Sequence, residues 1–134
     1  MTPPPGRETP PRTLATIRIA ILLGVLAFGA VTWIVHRRAG WTPIPDARAD
    51  ALRRAGMGVW ALALAGCGLL RLRWTRVEDA RTRAQVGIIG WAMGEIPALW
   101  GGMYYLLTGT VSWYAAGLLF LLLTFRLFPL PGRG

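Results

Sequence analysis

Residues 88–109 read IIGWAMGEIPALWGGMYYLLTG and hold one charged side chain, Glu95, among apolar, aromatic, glycine and proline residues. Extended to residues 84–107, the run is long enough to cross a bilayer as one helix, which takes about 20 residues. A helix on the surface of a water-soluble bundle carries a polar face. This one has none, so it reads as a membrane helix, and it sets the reading of the rest.

Working outward, three further apolar runs flank it. Residues 19–35 are apolar but for Thr32 and end at His36-Arg37-Arg38. Residues 55–70 form a second run, and residues 111–125 a fourth, closed by Arg126, Pro129 and Pro131. Each reaches spanning length if its flanking arginines extend toward headgroups. The expected fold is therefore all-α and polytopic, with four transmembrane helices arranged as two hairpins. The spans are expected at about 14–36, 52–72, 84–107 and 110–128, within a single domain over residues 14–130. Residues 1–13 are polar and proline-rich and are expected to form a disordered tail. The first run could be a signal peptide cleaved near Ala27-Phe28-Gly29, but it continues apolar to Val35 and reads better as an anchor.

All fifteen basic residues are arginine, against six acidic ones, for a net charge of +9. Such a balance suits nucleic acid or an anionic surface. The arginines, however, lie in the gaps between apolar runs and form no stripe or nucleic-acid motif, so no nucleic-acid partner is expected. With four spans, ten arginines fall on the side of the termini and the 71–83 loop, and five on the other. That asymmetry predicts both termini in the cytoplasm of a bacterial inner membrane. Trp33, Trp41, Trp74, Trp113 and Tyr114 fall near the span ends, as an aromatic belt requires.

Few residues carry chemistry. One histidine and one cysteine form no metal set, so neither a metal nor a cofactor is expected. His36 reads as an interfacial polar residue and Cys67 as a small packing residue. The absence of a nucleophile–base pair predicts that the chain is not an enzyme.

The third run is the exception. Gly90, Gly94, Ala98 and Gly102 recur every four residues, and Gly87, Gly94 and Gly101 every seven. This small-residue ridge admits a second helix at close range. It predicts contact with other membrane subunits, or with a second copy, through the third helix. Glu95 borders the ridge at mid-span, where a charge costs several kcal/mol, so a neutral carboxyl is expected at pH 7. Pro97 removes the amide that would bond the Met93 carbonyl, leaving an acceptor at the same depth. Glu95 and Pro97 are thus the candidate proton- or ion-binding pair, set against a structural interhelical hydrogen bond.

GEIPALWGGMYYLLTG resembles the carboxylate helix of the c-type proteolipid subunit of rotary ATPases, and residues 56–107 resemble that protein's hairpin. The resemblance implies that Glu95 carries a proton or cation. The first helix of that hairpin lacks a strict GxGxGxG run, and Trp60 is bulky where a ring needs small residues. The third run also resembles a group of small uncharacterised four-span bacterial membrane proteins, with WAxxExPALxG and a YxLTG ending. Two functions follow as expectations: an accessory or partner-binding subunit of a membrane complex, or a proton-binding, proteolipid-like or small transporter protein using Glu95.

Overall fold

The computed structural model describes residues 11–130, which form four helices and no strand. They are α1 (Pro11–His36), α2 (Asp46–Arg76), α3 (Ala80–Thr108) and α4 (Ser112–Leu127). Residues 1–10 of the expected tail lie outside the described residues. Residues 11–13, also assigned to the tail, are instead the first turn of α1. Proline suits that position, because its missing N–H would have no partner in the first turn anyway.

The helices outrun their apolar cores. α2 begins at Asp46 and ends at Arg76, well outside residues 52–72. Alanine, arginine and leucine are strong helix formers and carry the coil beyond the apolar segment. α3 starts where Asp79 caps it: one carboxylate oxygen accepts from the Thr82 backbone N–H at 2.8 Å and from the Thr82 hydroxyl at 2.7 Å. Those two bonds, the hydroxyl's first, hold the Asp79 carboxyl below the usual carboxylate range. α3 stops at Gly109, whose φ of 78° is left-handed and whose N–H bonds the Tyr105 carbonyl at 2.8 Å.

α3 is the hub. α4 packs along it most extensively, α2 and α1 dock on its flanks, and α1 also touches α4. The two-hairpin expectation needs correction here, because α1 and α2 do not pair with each other. Both go to α3, the helix whose glycines let several backbones approach at once. The α1–α2 connection folds over the end of α3 instead. Ile44 N–H bonds the Leu107 carbonyl, while His36 Nε2 and Trp41 Nε1 each reach the Leu106 carbonyl at 3.2 Å. These carbonyls lie in the last turn of α3 and have no intrahelical donor.

By length and composition, α1 and α2 are the helices able to cross a membrane. The third run, which the sequence reading found to meet spanning length most squarely, is not among them. The glycines of α3, with Pro97, Trp91 and Tyr104, are buried. α4, at 16 residues, is simply short.

Candidate functional site

On α3, successive residues turn by about 100°, which sorts its side chains into sectors. One sector meets α4. A Cβ on Gly90 would strike the Phe128 ring, and one on Gly94 would strike the buried Thr124 side chain. A Cβ on Gly101 would reach within 2.6 Å of the Trp113 carbonyl carbon. From the other side, Gly117 of α4 leaves room for the Ala98 backbone. Gly87, Gly90, Gly94, Ala98, Gly101 and Gly102 are all buried. The ridge expected to receive another subunit is therefore filled by this chain's own helices, and Gly102 lies under Phe28 of α1.

A second sector meets α2. Met93 closes on Gly66, Trp100 on Gly56, and the Cys67 thiol lies 4.0 Å from the Gly90 carbonyl. Trp60, Trp100, Tyr104, Trp113 and Phe120 form a connected aromatic cluster across α2, α3 and α4. The opposite sector of α3 is open: Ile89, Ile96, Leu99 and Met103 are exposed.

Glu95 stands between the open sector and the flank that α1 covers. It lies one turn beyond Trp91, which stacks beneath Arg18 of α1, and two turns before Gly102, which meets Phe28. The carboxyl is half-buried, not enclosed. Among the described residues nothing donates a hydrogen bond to Glu95. The expected freedom of the Met93 carbonyl is likewise unfilled: Pro97 is accommodated inside a continuous α3, and no side chain among the described residues bonds that oxygen. Glu95 and Pro97 thus lie two residues apart on α3, Pro97 buried toward α2 and α4 and Glu95 on the outer seam.

Tyr114, which the sequence reading placed only in an aromatic belt, and Gly29 join α4 to α1 beside this seam. The Tyr114 hydroxyl, from α4, donates at 2.8 Å to the Val25 carbonyl in the middle of α1. It gets there because Gly29 has no side chain; a Cβ would collide with the phenol. A glycine one turn after an acceptor is a usable signal, but only once the partner helix is known.

Among the described residues no group of three His, Cys, Asp or Glu side chains could hold a metal. The one ion pair among them, Arg53 with Asp50 at 3.2 Å, is a local surface contact in α2. No protein family, curated protein or solved structure matches the chain.

Proposed function

We propose that the chain is a four-span integral protein of a bacterial inner membrane, with both termini cytoplasmic. In this reading it acts as a non-enzymatic accessory subunit whose contact with a partner centres on Glu95. Support for the bilayer comes from the outward faces. Leu23, Leu62, Leu69, Ile89, Leu119 and Leu123 are exposed on all four helices, with Leu62 73 % and Leu119 68 % accessible. Large apolar side chains exposed on every helix suit contact with lipid or protein. The uncharged middle of α1, residues 19–35, is about 25 Å long, close to the hydrocarbon thickness.

The observation that carries the function is the unpartnered Glu95 on the α1–α3 seam. A carboxyl at that depth needs a hydrogen-bond partner. With none within the described chain and the glycine ridge already filled, a donor from another membrane helix satisfies it best. A proton- or cation-binding role is the second reading, favoured by the neighbouring Met93 carbonyl that Pro97 leaves open.

Two variants separate them. Glu95→Gln keeps size and hydrogen bonding but carries no titratable proton; Glu95→Leu keeps roughly the size without the hydrogen bonding. For a docking carboxyl, Gln retains the co-purifying partner and Leu loses it. For a proton carrier, Gln retains assembly yet abolishes proton-coupled growth or transport. A Leu variant that behaves as wild type in both assays rejects both.

A further inference from the structure

We infer that Arg71 and Arg83, gathered over Trp74 where α2 ends and α3 begins, bind the phosphate of an anionic phospholipid headgroup. The guanidinium carbons of Arg71 and Arg83 lie 4.6 and 5.2 Å from the centre of the Trp74 ring. Trp74 in turn meets the edge of Phe128, which closes α4. A third guanidinium, Arg18 of α1, lies 4.4 Å over Phe125 in the same hydrophobic cluster. Cations from three helices therefore converge on one aromatic floor.

The two arginines on Trp74 are held but not neutralised. Arg71 Nη1 donates to the Leu127 carbonyl, and Arg83 Nε and Nη2 donate to the Val77 carbonyl at 3.2 and 2.6 Å. Carbonyls fix the guanidiniums in place without cancelling their charge. Neither forms an ion pair among the described residues, and the nearby Asp79 carboxylate is engaged by Thr82. Arg71 keeps Nε and Nη2, and Arg83 keeps Nη1, without a hydrogen-bonding acceptor among the described residues. Planar guanidiniums suit phosphate oxygens.

A lipid, not free phosphate, fits the surroundings. Leu64 of α2, seven residues before Arg71 and so two turns below it on the same helix face, is 54 % exposed and offers an acyl chain a surface beneath the cation. Basic groups at the cytoplasmic edge of a helical bundle are the recurrent seat for anionic headgroups. This inference rests on the membrane reading above, so that reading is tested separately: release of the chain from native membranes by alkaline carbonate would reject it.

The lipid test uses purified, delipidated full chain in a neutral detergent. Dioctanoyl phosphatidylglycerol, dioctanoyl phosphatidylcholine and inorganic phosphate are titrated, and bound ligand is read by native mass spectrometry. Phosphatidylglycerol is expected to bind selectively. The Arg71→Gln/Arg83→Gln double variant should bind it about 30-fold more weakly, while Arg73→Gln, an exposed arginine of the same segment, should stay within about two-fold. If the Gln pair misfolds, Arg71→Lys/Arg83→Lys keeps the charge, loses the forked geometry and should bind with intermediate affinity. Equal binding of phosphatidylcholine, equal loss in Arg73→Gln, or unchanged binding by the double variant overturns the site. Competition by inorganic phosphate at matching concentration overturns the lipid as its ligand.

Discussion

The crossing of α3 and α4 has no slack, and glycine substitution measures it. A Cβ on Gly117 would lie 2.5 Å from Ala98 Cα, 2.6 Å from the Pro97 oxygen and 2.7 Å from Ala98 N. All three are backbone atoms, so no rotamer change relieves the contact. Ordinary van der Waals contact begins near 3.4 Å, so the helices must part by about 1 Å along a packed seam. Overpacking of this kind costs about 1–3 kcal/mol. Against it stands the helix-propensity gain of Gly→Ala, up to about 1 kcal/mol. Because the obstacle is backbone, the upper half of the range applies, and Gly117→Ala should lose about 1–2 kcal/mol net. For a helical unit of this size that lowers the midpoint by about 4–8 °C. Gly68→Ala is the matched control: it is exposed on α2 with nothing within 4 Å of the added carbon. It keeps the propensity gain without the clash and should hold or raise the midpoint by about 2–4 °C. Thermal unfolding of both variants in one mild detergent, followed by intrinsic tryptophan fluorescence, gives the comparison. Should Gly117→Ala match or exceed Gly68→Ala, the backbone-to-backbone crossing is wrong.

Tyr114→Phe removes the hydroxyl bond to Val25 and should cost about 0.5–1.5 kcal/mol; Gly29→Ala, which bars the same phenol, should lower the midpoint further, and equal midpoints for Gly29→Ala and wild type would contradict the contact. The Asp79 cap predicts a pH response of known sign. Its carboxyl is held below the usual range, so its contribution is present above about pH 4 and lost as pH falls through the folded-state value; hydrogen exchange at the first turn of α3 should accelerate there, and Asp79→Ala should abolish that acid-dependent step. Topology predicts that a fluorescent protein fused to the C-terminus glows and an alkaline phosphatase fused there stays inactive; active phosphatase would reverse the orientation.

The number of helices was legible because arginine-bearing segments interrupt the first three apolar runs and Thr108-Gly109-Thr110 interrupts the last two, and each interruption falls at or near a helix end. Helix ends outside those runs were less legible. Asp46 to Ala51 is polar enough to read as loop, yet its residues favour helix and extend α2 outward. The glycine stripe of α3 was also plain from its spacing. Which helix covers it was not, since spacing records only that something packs closely. The answer lies in distant complements: Gly117 opposite Ala98, Phe128 over Gly90, Phe28 over Gly102. Glu95 was conspicuous as the one charge in an apolar run, but its position on the outer seam depends on where α1 docks. The Arg71–Trp74–Arg83 cluster was visible only as loop charge, because its meaning comes from α2 and α3 meeting around one indole.

The hydrogen bonds that the α1–α2 connection makes to the end of α3 fix an order of events during synthesis. His36 and Trp41 reach the Leu106 carbonyl across 70 and 65 residues of chain. Those contacts do not exist until the ribosome has passed residue 106. Until then the first two helices have each other as neighbours in sequence but not as partners in space. A nascent chain of this kind enters its environment as two uncommitted segments and folds only when the third arrives. Truncation before residue 80 should accordingly leave material for quality-control proteases, and not a smaller stable domain.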